Sequence, residues 1–453
     1  MTDIVSRLTA ALGGRVDVSP SVLEASRADR SGHVADGAPL AVVHAESVED
    51  VQAVLRIASE TGTPVVTQGA RTGLAGGANA GRGEIALSTR RMTRVLEVSP
   101  DDRLAVVEPG ILNAELNAAL VPHGLWWAPD PASRDISTVG GNIATGAGGL
   151  LCAKYGVVRD SVLALDVVLA DGSLIRMGHR SVKGVTGLDL VSLMIGSEGR
   201  LGVVVGATLK LRPLVVGDVC TVSATFASVR DAAAASAAVT ASGIQPSVME
   251  LMDATTLDSV HRHLGYDAPA VGASQLLVQT DGASARTEAD GIADVLRTAG
   301  GSVVITHDRE EGERLLALRR AANPAIIADF GTHLIEDVSV PRTRLAAMFD
   351  EIARVEREHG VRIPTMAHAG DGNLHPSFVY EGDQVPEHIW VAADDLFRSA
   401  LRLGGTLTGE HGIGVLKARW LGEELGETQL DLQRRIAAAF DPQGILNPGK
   451  VFV

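Results

Sequence analysis

The stretch Pro64-Val65-Val66-Thr67-Gln68-Gly69-Ala70-Arg71-Thr72-Gly73-Leu74-Ala75-Gly76-Gly77 decides the fold. Its β-branched first part predicts a short strand, and its second part predicts a glycine-rich loop. Successive backbone N–H groups of such a loop can surround a phosphate, because glycine adopts positive φ and has no Cβ in the way. A tight turn at a sheet edge explains a single loop of this kind equally well.

A second glycine-rich segment follows, Ser137-Thr138-Val139-Gly140-Gly141-Asn142-Ile143-Ala144-Thr145-Gly146, and we predict that it is also a loop. Neither segment has the G-x-G-x-x-G spacing of a dinucleotide fingerprint, and neither carries the lysine of a P-loop. Upstream of the first segment, Ser47 with Asp50 predicts a helix N-terminus. Downstream of the second segment, Asp171-Gly172 between two apolar runs predicts a β-hairpin.

Composition excludes several classes of protein. The 453 residues carry 55 acidic and 40 basic side chains, a net charge of -15, without a basic run. This argues against nucleic acid as a partner. Two cysteines are too few for a disulfide scaffold or a cysteine-based metal cluster. The start of the chain lacks a signal-peptide pattern, and no run of about 18 apolar residues occurs, so we expect a cytoplasmic, not transmembrane, protein.

Two motifs in the second half carry residues suited to chemistry. His368-Ala369-Gly370-Asp371-Gly372-Asn373-Leu374-His375 places two imidazoles across a glycine-rich turn, and pairing of its flanking strands, 363–367 and 376–380, aims both rings at one point. Gly409-Glu410-His411-Gly412-Ile413-Gly414 adds a carboxylate and another imidazole. Two histidines and one carboxylate suit Zn²⁺, with Mn²⁺ or Fe²⁺ as alternatives. A single histidine is more often a hydrogen-bonded structural residue.

The first half resembles the FAD-binding domain of the vanillyl-alcohol-oxidase superfamily, of the PCMH type. The resemblance rests on the two glycine-rich segments together with Glu108-Pro109-Gly110, Pro129-Asp130-Pro131-Ala132-Ser133 and Gly196-Ser197-Glu198-Gly199-Arg200-Leu201-Gly202. It implies that the glycine segments bind the FAD pyrophosphate. The implied FAD-binding residues are Gly69, Ala70, Arg71, Thr72, Gly73, Leu74, Gly76, Gly77, Pro129, Ser133, Thr138, Gly140, Gly141, Asn142, Thr145, Gly202 and Val204. Some relatives carry a flavin-linked histidine where this chain has Ala70 and Arg71, so we expect non-covalent FAD.

The second half resembles the D-lactate dehydrogenase, glycolate oxidase and D-2-hydroxyglutarate dehydrogenase group. The two histidine motifs and Asn447-Pro448-Gly449-Lys450 carry this resemblance. It implies that His368, His375 and Glu410 bind the metal and that His411 is the catalytic base. It further implies that Asn447 lies near the flavin ring and that Arg319 binds the substrate carboxylate; the alternative for Arg319 is a solvated helix residue.

The expected fold class is α+β. We predict an N-terminal arm (1–36), a two-subdomain PCMH-type FAD-binding domain (37–215), a substrate or cap domain (216–405) with an antiparallel sheet and helices on one face, and a helical C-terminal segment returning to the flavin (406–453). The predicted enzyme is an FAD-dependent D-2-hydroxyacid dehydrogenase. In the expected reaction the flavin would accept the hydride at N5, the metal would polarise the hydroxyl and a histidine would take its proton.

The substrate prediction rests on departures from the hydroxyglutarate enzymes. Asn323 stands where those enzymes have a threonine, and the segment 333–337 lacks their lysine. Glu336 and Asp337 would repel a second carboxylate if they faced the pocket. These departures favour a small monocarboxylate such as lactate or glycolate.

Other functions stay open at this point. One is an oxidase or alkyl-transferring synthase of the same fold, and another is a flavin-free, metal-dependent hydrolase. A third is a silent subunit of an oxidase complex, against which the complete metal set argues. The expected electron acceptor is a quinone, a cytochrome or an electron-transfer flavoprotein, and a homodimer is possible.

Overall fold

A computed structural model describes residues 2–382 and 384–451 of the chain. These residues form two compact units. The first unit contains residues up to Gly149, Gly156–Leu214 and the chain from Glu410 onward, and the second contains Leu150–Tyr155 and Val215–Gly409. The domain boundaries expected from the sequence stay predictions.

The helices are α1 (Thr2–Leu12), α2 (Pro20–Ala25), α3 (Val48–Thr61), α4 (Asn113–Leu120), α5 (Val139–Thr145), α6 (Cys152–Tyr155), α7 (Leu190–Met194), α8 (Val229–Ala241), α9 (Ala254–Leu264), α10 (Ala285–Thr298), α11 (Arg309–Arg320), α12 (Ala322–Phe330), α13 (Leu345–His359), α14 (Glu387–Arg402) and α15 (Leu421–Phe440). Within the described residues, none of these helices is long and apolar enough to cross a membrane.

The strands are β1 (Val16–Asp17), β2 (Ala41–His44), β3 (Val65–Gln68), β4 (Ile85–Ser88), β5 (Val95–Ser99), β6 (Leu104–Val107), β7 (Leu125–Trp126), β8 (Val162–Val168), β9 (Leu174–Gly178), β10 (Val203–Lys210), β11 (Arg212–Pro213), β12 (Asp218–Phe226), β13 (Val248–Met252), β14 (Ser274–Gly282), β15 (Ser302–Thr306), β16 (His333–Ile335), β17 (Val338–Ser339), β18 (Thr365–His368) and β19 (Asn373–Val379).

The first sheet of the first unit has the order β1-β2-β4-β3, with β2, β4 and β3 parallel. Helix α3 packs beside it, burying Val51 and Leu55 against Leu8 of α1 in one apolar cluster. The predicted helix start is confirmed, because the Ser47 side chain accepts a hydrogen bond from the Asp50 N–H. The N-terminal arm is therefore part of this core, which sets the position of the loop after β3.

The second sheet of the first unit has the order β5-β6-β10-β8-β9 and is antiparallel throughout. Its β8–β9 hairpin turns at Asp171-Gly172 as predicted. A buried cluster of aliphatic side chains surrounds Trp127, whose indole N–H donates to the Ser161 carbonyl. With few aromatic residues available, aliphatic packing around one tryptophan supplies this core.

The second unit is built on an antiparallel sheet with the order β15-β12-β14-β13-β18-β19-β16, and β17 also pairs with β19. The predicted α+β class is confirmed, but the helices pack on both faces of this sheet and not on one, because α9 and α12 also bury apolar residues against Met252 and Met366. Helices α8 and α10 cover the face that carries Val222 and other buried apolar residues. Gly312 of α11 lies against Thr221, whose side chain points to the opposite face because successive residues of a strand alternate. That opposite face carries the polar residues Glu250, His368 and His375.

Candidate active site

The first glycine-rich segment leaves β3 as an irregular loop, as predicted. Gly76 has φ +78°, a conformation that favours glycine. Arg71 adopts φ +54° without that freedom. The Gly76 N–H donates to the half-buried carboxylate of Asp29 at 2.9 Å, and its enclosure raises the pKa of Asp29. Asp29 belongs to the N-terminal arm, and no local sequence pattern had indicated this role.

The second glycine-rich segment is a short helix, α5, so the prediction of a loop is wrong. The Thr138 hydroxyl caps the helix by accepting from the Gly141 N–H. Gly140 packs against Pro109, where a Cβ would come within 2.5 Å of the proline side chain. A glycine-rich sequence is helical here because this cap and this close packing offset the low helix propensity of glycine.

The two glycine-rich segments meet inside the first unit. A Cβ on Gly69 would lie 2.5 Å from the Thr138 hydroxyl, so only glycine fits at that position. Nearby, the buried Asn142 amide nitrogen and Ser137 hydroxyl make no hydrogen bond to any residue that the structure describes. Buried polar groups need a hydrogen-bonding group, and the ribityl and phosphate oxygens of a flavin nucleotide would supply one.

The remaining predicted FAD-binding residues also lie in the first unit. The Pro129 carbonyl accepts from buried Asn113, while Ser133 and Thr145 are partly exposed. Gly202 and Val204 lie at the start of β10, where a Cβ on Gly202 would meet Val167 on β8. Gly69 therefore lies directly beside Thr138, whereas Gly202 and Val204 lie at the second sheet.

Glu198 and Asn447 connect the first glycine-rich segment to the loop that carries His411. The Glu198 carboxylate accepts from the Ile413 and Gly414 N–H groups at 2.7 and 2.8 Å. The Asn447 amide donates to the carbonyls of Gly77 and Glu198 at 2.9 and 2.7 Å. Asn447 has φ +44°, which asparagine tolerates better than most residues.

The environment of Glu198 changes its acidity. Although the residue as a whole keeps some exposure, its carboxylate is enclosed by the backbone of Gly77, Gly412 and Gly414. This burial raises the pKa of Glu198 from 4.5 to about 7, and the two backbone hydrogen bonds oppose the rise only in part. In the same loop, His411 Nε2 lies 3.9 Å from the Glu410 carboxylate, beyond hydrogen-bond distance.

In the second unit the structure brings His368 and His375 together. Strands β18 and β19 pair with Met366 opposite His375 and His368 opposite Asn373, so the flanking strands form the predicted hairpin. Both histidines are buried. Their ring centroids are 5.0 Å apart and their planes are nearly perpendicular. Two imidazoles at this spacing can share one metal ion.

A carboxylate that the motif search missed lies beside them. Glu250 of β13 stands opposite His368 in the sheet, and its Oε1 is 2.6 Å from His368 Nδ1. Its second oxygen lies 2.7 Å from Arg319 Nε, with Glu250 only 1% exposed. The Nε–H does not point along that line, so we describe this contact as an ion pair. Arg319 also contacts the Met366 sulfur at 3.0 Å, so it is buried rather than a solvated helix residue.

Asp337 organises the other side of the histidine pair. One of its oxygens accepts from the Asn373 amide at 2.6 Å and lies 3.9 Å from His375 Nδ1. The other accepts from the Thr408 hydroxyl at 2.5 Å. Gly409 packs directly on Asn373. The amide oxygen of Asn323, one of the departures noted above, accepts a hydrogen bond from His333 Nε2 at 3.1 Å.

The donor set of the second unit fits a divalent metal. Zinc-bound histidines usually donate their other ring nitrogen to a carboxylate or carbonyl oxygen, and Glu250 already occupies that place at His368. In the first unit, the close glycine contacts and the unsatisfied donors fit a flavin nucleotide.

Comparison with known proteins identifies the family. Residues 39–178 match the FAD binding domain family, and 217–451, just over half of the chain, match the C-terminal domain of FAD linked oxidases. The glycolate oxidase subunit GlcD of Bacillus subtilis is 36% identical over 420 residues, covering 91% of this chain and 89% of that protein. D-lactate dehydrogenase of Archaeoglobus fulgidus is 36% identical over 414 residues, covering 90% of each.

Solved structures support the fold. A p-cresol methylhydroxylase with bound substrate superposes with a TM-score of 0.79 at 19% identity, covering 100% of this chain and 96% of that one. The 4-ethylphenol oxidase from Gulosibacter chungangensis gives 0.78 at 20% identity, covering 99% and 96%. These enzymes share the two-domain PCMH-type architecture expected from the glycine segments. The chain belongs to the FAD-linked oxidase family, and it is an FAD-linked oxidoreductase of the glycolate oxidase and D-lactate dehydrogenase type.

Proposed function

We propose that this enzyme oxidises a D-2-hydroxy acid to the 2-oxo acid, using non-covalently bound FAD and a divalent metal, with Zn²⁺ favoured. The observation that carries the proposal is the buried His368–His375 pair, with one ring held by a carboxylate. The names of the relatives, glycolate oxidase subunit and D-lactate dehydrogenase, agree with this substrate class.

The flavin is proposed to bind without a covalent link. Ala70 and Arg71 stand at the positions where a histidine would form the bond, and neither side chain is a suitable nucleophile. When bound, FAD supplies the acceptor for the hydride. The glycine segments, together with Asn142, Thr138 and Asn447, would hold and orient it.

The metal is proposed to bind His368, His375 and Glu410. Two histidines and one carboxylate leave positions open for substrate, as in other catalytic zinc sites. A metal in this site supplies Lewis acidity that lowers the pKa of the substrate hydroxyl. Thr408 and Gly409, which precede Glu410 in the chain, contact Asp337 and Asn373.

The proton is proposed to move to His411. An imidazole accepts protons near neutral pH, where an ordinary histidine titrates at about 6.5. The loop that carries His411 is fixed by two hydrogen bonds from its backbone to Glu198. His411 would therefore meet the substrate hydroxyl in a set orientation, which is what general-base catalysis requires.

The substrate is proposed to be a small monocarboxylate such as lactate or glycolate. Arg319 supplies the cation for one carboxylate, and a guanidinium matches carboxylate geometry well. Glu336 and Asp337 are both buried, and the Asp337 carboxylate is bound to Asn373 and Thr408. Adjacent acidic residues would disfavour a second substrate carboxylate. The proposed electron acceptor is a quinone, a cytochrome or an electron-transfer flavoprotein.

The test is anaerobic reduction of the purified flavoprotein by a panel of D- and L-2-hydroxy acids. We expect one D-acid to bleach the flavin band in the wild type. His375→Ala should abolish bleaching while keeping the band, whereas His263→Ala, at an exposed position of α9, should behave as wild type.

Each other outcome overturns one part of the proposal. A purified protein without a flavin band removes the role of FAD. Equal bleaching by His375→Ala removes the role of the metal, and bleaching by L-acids alone removes the stereochemical assignment. A flavin that no hydroxy acid reduces removes the substrate class.

A further inference from the structure

We propose that Glu250 is a positioning residue that orients His368 for metal binding and holds Arg319 for the substrate carboxylate. This inference rests on the proposed function, because it assigns a role toward the same metal and substrate. It adds a residue that lies outside both histidine motifs and far away in sequence, on β13 rather than β18.

The first half of the argument is the contact with His368. Glu250 Oε1 lies 2.6 Å from His368 Nδ1. A carboxylate only accepts hydrogen bonds, so Nδ1 carries the hydrogen and donates it. In a neutral imidazole the other nitrogen, Nε2, is then unprotonated, and its lone pair is the one that can bind a metal. Glu250 thus selects the metal-binding nitrogen and fixes the plane of the ring.

The second half is the contact with Arg319. The guanidinium has five N–H groups. Its Nε side faces Glu250 at 2.7 Å, and Nη1 contacts the Met366 sulfur. Nη2 of Arg319 makes no hydrogen bond to any residue that the structure describes. This end of the guanidinium can therefore bind the substrate carboxylate. Glu250 therefore orients the arginine without using all of its donors.

The surroundings of Glu250 show why a carboxylate at this position needs a function. Its strand neighbours Met249 and Leu251 are buried and apolar, and Glu250 is 1% exposed. Burying a charge is costly unless it is paired. Strand register places Glu250, Met366, His368 and His375 on the same face of the sheet. One carboxylate on that face contacts both the proposed metal ligand and the proposed substrate arginine.

The experiment compares the purified holoenzyme with Glu250→Gln and Glu250→Asp. Zn²⁺ affinity is measured by competition with a chromophoric chelator, and FAD content by absorbance. We expect Glu250→Gln to weaken Zn²⁺ binding by about 10- to 100-fold, the usual effect of losing a carboxylate behind a metal-bound histidine. FAD content should stay at the wild-type level.

Kinetics at saturating Zn²⁺ then measures how Glu250 affects substrate binding through Arg319. With the metal site filled, Glu250→Gln should raise KM for the reducing D-acid about tenfold, because the ion pair that orients Arg319 is lost, and should change kcat less. Glu250→Asp, which keeps the charge on a shorter side chain, should give smaller changes in the same direction. If Glu250→Gln does not fold, the Zn²⁺ affinity and KM of Glu250→Asp test the role of Glu250 instead.

Asp253→Asn is the matched control. Asp253 is a carboxylate at the end of the same strand region, where it accepts from the Thr256 and Thr365 N–H groups and contacts neither His368 nor Arg319. It should leave Zn²⁺ affinity and KM unchanged even if it lowers the unfolding temperature. Equal effects of Asp253→Asn and Glu250→Gln on Zn²⁺ affinity and KM would overturn the proposal.

The outcomes separate this inference from the proposed function. Wild-type protein that binds Zn²⁺ and is reduced by a D-acid, with Glu250 variants that match it in Zn²⁺ affinity and KM, overturns the role of Glu250 alone. Wild-type protein that binds no Zn²⁺ overturns the proposed metal and with it the His368 half. In that case, comparing KM of the Glu250 variants with KM of the wild type still tests the proposed role of Glu250 toward Arg319.

Discussion

Glu198 in the first unit and Glu250 in the second are both enclosed carboxylates, but they bind different kinds of groups. Glu198 accepts from two backbone N–H groups of the loop after His411. Glu250 contacts two side chains, those of His368 and Arg319. The first carboxylate fixes the path of the main chain, and the second fixes the orientation of functional side chains.

This difference determines how each carboxylate responds to a change of pH and to mutation of its partners. Backbone amides are neutral, so burial dominates and raises the pKa of Glu198 to about 7. Glu250 faces a guanidinium, so removing either member of the pair strands the other charge in the protein interior. We therefore expect a pH-dependent contribution to stability from Glu198 and the stronger effect of mutation at Glu250.

The largest effect expected is the loss of stability in Glu250→Ala. The substitution leaves Arg319, 8% exposed, as an uncompensated buried cation, which costs about 3–5 kcal/mol of unfolding free energy. Urea denaturation followed by circular dichroism measures it. Adding Arg319→Met to the same protein should restore part of the loss. A loss below about 1 kcal/mol, within the range of surface ion pairs, would remove the distinction between the two carboxylates.

The next effect is a pH dependence that belongs to Glu198. Its folded-state pKa lies above the unfolded value of 4.5, so its stabilising contribution is complete below pH 4.5 and is lost as pH rises through about 7. At about 1.36 kcal/mol per pH unit, the change is at most about 3 kcal/mol. Urea unfolding at pH 5 and pH 8 should show this decline in wild type and a smaller one in Glu198→Gln.

Asp253, whose pKa burial raises to about 6, adds a decline of the same sign to both proteins. The difference between wild type and Glu198→Gln therefore isolates Glu198. Parallel pH profiles for the two proteins would show that its carboxylate does not titrate in this range.

The smallest effect is expected for Asn447→Ala. It removes hydrogen bonds to the Gly77 and Glu198 carbonyls and places alanine at positive φ, for a loss of about 1–2 kcal/mol. FAD should dissociate faster on dilution, as measured by recovery of flavin fluorescence. Ser47→Ala, which loses a helix cap at about 1 kcal/mol, is the control for equal instability. If both variants release FAD at the same rate, Asn447 has no specific role toward the flavin.

The sequence predicted features that depend on near neighbours. The Ser47 cap, the hairpin at Asp171-Gly172 and the strands around His368 and His375 all follow from patterns within about a dozen residues, and the structure confirms them. The helix at Val139–Thr145 was missed because glycine has low helix propensity and its packing against Pro109 is a tertiary contact.

Residues whose contacts are distant in sequence gave no signal. Glu250 is 118 residues from His368, Glu198 is 215 from Ile413, and Asp29 is 47 from Gly76. Asp29 and Glu250 are single acidic residues that nothing nearby distinguishes from solvated ones. Glu198 lies in the glycine-flanked motif 196–202, but that motif does not indicate its partners. Only the pairing of strands and loops shows which acidic residues are enclosed.

The end of the chain completes a sheet that begins near its start. Leu446 bridges to Val65, with the Val65 N–H donating to the Ile445 carbonyl and the Asn447 N–H to the Val65 carbonyl. During synthesis, residues 215–409 leave the ribosome before this closure can form. Domains tend to fold as units as they emerge, so we expect the second unit to mature first. The first unit, and with it the ability to retain flavin, would wait until residues 410–447 have been synthesised.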